Sequence, residues 1–242
     1  VQERAENESG GDGLAMVRRR LQLAYGASAV EIDDVWPEAL EDYRLLLMFN
    51  NGTNFTEEQV NDLEEWTISG GLLVLVTDAV GFEPGLTVLN TLAEELGIET
   101  QFVGGSYDSY CDTWYATVVD PKHPLAADVD TIEYAYSSYV NVGDKGTALF
   151  ARSSDESMAL VAVEGQVVFV SDSNILDDAC LSHPDGNTHF WENLFDGVCY
   201  DSDGDGFIDI RDFNKVKEKQ RAASGGKNKK TTKPKGTRSS SS

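Results

Sequence analysis

Two short apolar runs restrict this chain more than any other feature. Leu45 to Phe49 (LLLMF) and Leu72 to Val76 (LLVLV) are continuous rather than alternating, the pattern of strands buried on both faces. Between them Thr56 and Gln59 form a capping box, and Val60, Leu63 and Trp66 recur at helical spacing before Gly70-Gly71 ends the helix. Leu89, Leu92 and Leu96 mark another helix, stopped by Gly97. Buried strands alternating with helices over short connections predict a three-layer α/β fold, with a mostly parallel sheet and helices on both faces.

Beyond Thr113 the texture changes. Tyr115 to Val119, Ile132 to Ser137, Thr147 to Arg152, Met158 to Val163 and Gln166 to Ser171 read as strands, the last two joined tightly enough at Glu164-Gly165 for a hairpin. Asn187 to Phe195 reads as a closing helix. At the front, residues 1–13 read as a flexible leader, followed by a helix on Leu14, Val17, Leu21 and Ala24. The chain starts at Val1 with no Met and no signal peptide, so a processed product or a fragment is expected.

Charge divides the chain sharply. From Arg211 to Ser242, 11 basic side chains face two acidic ones, a net of +9. The first 210 residues hold 40 acidic and eight basic side chains, a net of −32. Such a body repels nucleic acid and anionic membranes, so neither is expected as its partner. No apolar run reaches the roughly 20 residues of a membrane-spanning helix. Residues 222–242 are low in complexity and lack an apolar face, which predicts a disordered basic tail. That tail is suited to a protein partner, an acidic surface or the acidic body of a neighbouring copy, and equally to a solubilising linker.

The order of the folded segments resembles class I glutamine amidotransferase-like domains. LLLMFNNGTNFTEEQVNDLEEWTISGGLLVLVTD looks like their strand, capped helix, Gly-Gly and strand unit. KHPLAADVD, EGQVVFVSDSNILDD and GNTHFWENLF are similar to segments of a non-catalytic branch found beside gliding-motility and ABC-transporter components and in intraflagellar-transport proteins. The resemblance covers roughly Leu14 to Gly197, within a domain drawn at 14–198, and implies a flavodoxin-like, amidotransferase-like sheet. Active members place a cysteine on a sharp strand-to-helix turn, where a helix N-terminus lowers its pKa. Here that strand end reads Val76-Thr77-Asp78-Ala79-Val80-Gly81, with neither cysteine nor serine. The family's first strand is not recognisable before Leu14 either, so another chain supplying it is one expectation.

A non-catalytic binding domain is therefore expected. Its ligand, a small molecule or carbohydrate by resemblance to the family, would sit at the carboxyl ends of the strands, with Asp78, Asp172 and Asn174 as candidates. The alternatives are a structural subunit of a surface assembly, or a cysteine-dependent hydrolase or amidotransferase using Cys180 or Cys111 with a histidine. Cys180, His183 and His189 are close in sequence, but triad partners are brought together by the fold, so closeness carries little weight. His183, Asp185 and His189 have feasible metal spacing without a HExxH helix. His123, before Pro124, is expected to shape a turn. The three cysteines, Cys111, Cys180 and Cys199, contain no CxxC pair; three buried thiols and one disulfide plus a free thiol are both open.

The sharpest motif lies at 199–221. Asp201, Asp203 and Asp205, then Gly206 and Asp212, fit a twelve-position EF-hand-like loop, DxDxDGxxxxxD. Calcium takes six to eight oxygens, and a chain surrounds it only by turning sharply, which Gly206 permits. Asp201, Asp203 and Asp205 would ligate through carboxylates, Phe207 through its carbonyl, and Asp209 directly or through water, with Asp212 closing the sphere. Ile208 is apolar, as such loops require. Position 12 is Asp where Glu is usual, so the arm is shorter. The pattern is similar to dockerin and thrombospondin type 3 loops, which implies a structural Ca2+ and an extracellular or cell-envelope location. Asn-x-Ser/Thr acceptors at Asn7, Asn51 and Asn54, and the acidic body, point the same way.

Overall fold

In a computed structural model of the protein, the residues described are 22, 36–49, 52–78, 83–105, 115–135, 137–152, 158–176, 180 and 186–198. The leader, the helix expected from Leu14, His183, Asp185, Cys111, Cys199, the calcium loop and the basic tail lie outside them.

Strand β1 (Leu45–Phe49) leads to helix α1 (Glu57–Ile68) and strand β2 (Leu72–Val76). The capping box forms as expected: Gln59 N–H donates to Thr56 Oγ1 at 3.3 Å and Thr56 N–H to Gln59 Oε1 at 2.9 Å. At the other end Gly70 has φ +96°, and the N–H groups of Gly70 and Gly71 donate to the carbonyls of Thr67 and Trp66. That double closure turns the chain straight into β2. Gly71 is required a second way, because a Cβ there would lie 2.2 Å from the Trp66 indole. The indole N–H donates to the Tyr43 carbonyl at 3.0 Å, fastening α1 to the entry of β1.

Helix α2 (Glu83–Glu95) follows, closed by Gly97 at φ +73°. Then come β3 (Gln101–Val103), β4 (Tyr115–Val118), β5 (Thr131–Glu133), β6 (Tyr139–Asn141), β7 (Thr147–Ala151), β8 (Ala159–Glu164), β9 (Val167–Val170) and helix α3 (Gly186–Val198). The main path of the sheet runs β1-β2-β9-β8-β7-β4-β5, with β6 also paired to β8 and β3 to β6. Side chains of β2 divide strictly by pleat. Leu72, Val74 and Val76 join Phe190, Trp191 and Leu194 of α3, whereas Leu73 and Leu75 join Val60, Leu63 and Trp66 of α1 and Leu89 and Leu92 of α2. Helices therefore cover both faces, and the fold is mixed α/β.

One expectation is corrected. Only β1–β2 and β2–β9 pair in parallel, and the other described pairings are antiparallel, so the sheet is mixed rather than mostly parallel. The cause is local: β8 and β9 are joined by Gly165 and Gln166 alone, and two residues can link only antiparallel neighbours. Gly165 takes φ +58° to make that turn. Two strands were not visible in the sequence. β3 and β6 are three residues long, and each buries one central residue, Phe102 or Val140. Asn90 of α2 supports β3 by pairing with both the N–H and the carbonyl of Phe102.

His123 caps a 3-10 turn (Pro124–Ala126), its Nδ1 accepting from Leu125 N–H at 3.2 Å. Burial pushes this imidazole below its ordinary pKa, with the charge of Asp120 partly opposing. The unfolded chain thus takes up the proton first, near pH 6.5, and stability present above that value is lost as pH falls toward the lowered folded value. A His123→Asn variant retains a capping acceptor. It is expected to lose less stability than wild type between pH 7 and pH 5 in denaturant titrations; equal losses would contradict this role.

Candidate functional site

The carboxyl ends of β2 and β9 lie side by side, where open α/β sheets place their ligands. Two of the three cleft residues expected from sequence meet there, through Ser173. Asp78 follows β2, and its Oδ1 accepts from both the N–H and the hydroxyl of Ser173, at 3.0 and 2.6 Å. Asp172 follows β9, is fully buried, and caps a 3-10 turn (Ser173–Ile175). Its Oδ1 accepts from Asn174 N–H at 2.8 Å and its Oδ2 from Ala135 N–H at 2.5 Å. Asn174 takes part through its backbone.

Residues distant in the chain complete this arrangement. Ala135 lies just beyond β5 and is buried, and its N–H donates to the Asp172 carboxylate. Asn187, at the start of α3, donates to the carbonyls of Glu133 and Ile175 and accepts from Glu133 N–H. Trp191 Nε1 also donates to the Ile175 carbonyl, at 3.2 Å. Gly186 brings α3 so near β5 that a Cβ would lie 1.8 Å from the Thr131 carbonyl oxygen. The turn at 173–175 is thereby tied to β2, β5, β9 and α3 at once. Both Asp172 oxygens thus accept from backbone amides.

Of the Cys180, His183 and His189 constellation, Cys180 and His189 lie among the described residues. Cys180 is disulfide-bonded and buried, so it presents no thiolate, and the other two cysteines of the chain are Cys111 and Cys199. His189 is exposed on α3. Among the described residues no cluster of three or more His, Cys, Asp or Glu side chains has metal-binding geometry. A groove of about 330 Å³ lies at the opposite, amino-terminal end of β1 and β2. Glu38, Glu41, Asp62 and Glu65 line it, with Trp66 among its walls.

Residues 22–195 match the profile of a family described as a domain of unknown function, DUF4350. The chain belongs to the DUF4350 family. No functionally curated protein matches it. Among solved structures, this DUF4350 domain is similar to the mmIFT52 N-terminal domain, at 15% identity over 77% of this chain and 90% of that one, with a TM-score of 0.61. A cytoplasmic protein from Salmonella typhimurium LT2 aligns at 12% identity over 79% of this chain and 88% of that one, with a TM-score of 0.53. A glutamine amidotransferase from Thermotoga maritima aligns at 10% identity over 87% of each chain, with a TM-score of 0.42. At these identities the first two establish a shared fold for the DUF4350 domain. Among its described residues, no helix is long and apolar enough to cross a membrane.

Proposed function

We propose that this DUF4350 protein is an exported, non-catalytic binding or scaffolding domain of the cell envelope, of the amidotransferase-like type, with a structural Ca2+ loop at Asp201 to Asp212. The observation that carries the reading is the use of Asp172. In an enzyme of this layout, the strand ends are where reacting groups are presented; here the carboxylate is sealed and spent on two backbone amides. The strand end after β2 carries Asp78, engaged with Ser173, in place of a nucleophile.

Export is supported by the disulfide at Cys180, since such bonds persist mainly in oxidising compartments. The acidic body and the dockerin-like spacing of the aspartates add to it. A calcium loop of this type binds at about 10⁻⁴–10⁻³ M, which suits external calcium and a structural ion rather than a signal. A small ligand or carbohydrate, or a protein held through the basic tail, would be the partner. A structural subunit of a surface assembly is the second reading, favoured by β1: it forms one end of the sheet among the described residues, and all five of its apolar residues are only half-buried.

Limited proteolysis of the full chain tests the calcium assignment. With calcium at about ten times its dissociation constant, cleavage between Cys199 and Val216 is expected to fall about tenfold, because only the unliganded fraction is cut. An Asp203→Ala, Asp205→Ala variant should lose that protection. A calcium response identical in the variant would overturn the assignment.

A further inference from the structure

We propose that Asn54 carries an N-linked oligosaccharide, an inference that rests on the export reading above. Asn54, Phe55 and Thr56 form an acceptor sequence on the connection between the carboxyl end of β1 and α1. The other two acceptor asparagines, Asn7 and Asn51, lie outside the described residues, so the structure speaks for this one alone.

Its neighbours are committed and Asn54 is not. Phe55 is half-buried, packed edge-on against Trp36 with ring centroids 6.3 Å apart and set against the core that includes Leu63 and Trp66. Thr56 is extended, at φ −81° and ψ 157°, and serves as the helix cap. The segment is therefore anchored on both residues after the asparagine. Asn54 itself is exposed, and its carboxamide makes no hydrogen bond among the described residues. A large hydrophilic substituent there would project into water without disturbing the Phe55–Trp36 contact or the cap. Thr56 Oγ1 receives Gln59 N–H, which leaves its own O–H proton to donate toward the acceptor carboxamide.

The chemistry requires a sugar donor of the polyisoprenyl-phosphate-linked oligosaccharide class and its transferase. Asn54 Nδ2 attacks the anomeric carbon of the donor, and a C–N bond forms as the C–O bond to phosphate breaks. The lipid phosphate leaves with the electron pair, and the amide proton passes to a base. Nothing is oxidised or reduced.

The test uses the full chain expressed in its native host, with fractionation to locate it and mass spectrometry of the peptide containing Asn54. The expected result is an exported protein whose Asn54 peptide carries an added oligosaccharide mass. That mass should be lost in Asn54→Gln, lost in Thr56→Val although Asn54 remains, and retained in Thr56→Ser, which keeps both the hydroxyl and the cap. Exported protein with unmodified Asn54 would overturn this proposal and leave the export reading standing. Unmodified protein found inside the cell would overturn both.

Discussion

Replacing Asp172 with alanine is expected to lower the unfolding free energy by about 3 kcal/mol. The side chain is fully buried, and its two oxygens satisfy the amides of Ala135 and Asn174. Removing it strands the Ala135 N–H in the interior and takes the cap from the turn at 173–175. Each such loss costs about 1–3 kcal/mol, while relief of the carboxylate's own desolvation offsets part of the sum. For a domain of this size the melting temperature should drop by roughly 10 °C. Asp172→Asn keeps one acceptor oxygen but turns an NH₂ toward a backbone donor, so it should lie between wild type and alanine. A denaturant titration of the three proteins reads the order directly. An alanine variant as stable as wild type would mean the carboxylate is dispensable to the fold and free for another role.

The second large effect is at Gly186, where helix propensity and packing point in opposite directions. In an exposed helix interior, glycine to alanine stabilises by about 1 kcal/mol. At Gly186 the added Cβ would sit 1.8 Å from the Thr131 carbonyl oxygen, a backbone atom with no rotamer to escape into. The start of α3 would have to move away from β5. That displacement would break the Asn187 bonds to Glu133 and Ile175 and loosen Phe190, Trp191 and Leu194 from the core. A loss of about 3 kcal/mol or more is expected for Gly186→Ala. Any gain in stability would show that α3 does not dock this closely.

These two positions also show where reading from sequence reached and where it stopped. The α1 capping box, the glycine closures at Gly70 and Gly97, and the two runs around α1 are local chemistry, and each was legible before the fold was known. Of the antiparallel half of the sheet, only the β8–β9 hairpin was legible, from its short connection. A strand such as Ala159–Glu164 is apolar on both faces because it lies mid-sheet, and that pattern is the same for parallel and antiparallel neighbours. Only the two-residue β8–β9 turn decided the direction.

At the candidate site, position was legible and role was not. Asp78 and Asp172 follow apolar runs, so their place at strand ends could be read. Whether such a carboxylate faces a ligand or a backbone amide depends on what the chain brings to it, and Ala135 is 37 residues away. Asn187 in GNTHFW carries a partial clue, because a polar residue beside a glycine, just ahead of an aromatic helix, is well placed to tie that helix down. The proposed calcium loop is the reverse case, since its candidate ligands are contiguous and the pattern is readable in full from the sequence.

Amide hydrogen exchange at Ala135 in the unmodified full chain tests most directly whether the strand-end carboxylates are structural. If Asp172 is a latch, this amide should exchange only through global unfolding, at a rate matching core amides such as those of β2, and should keep that protection across buffers and small-molecule additives. Exchange of Ala135 much faster than the core, with the fold intact, would mean that Asp172 releases its partner readily. The strand ends would then be an open ligand site, contrary to this account.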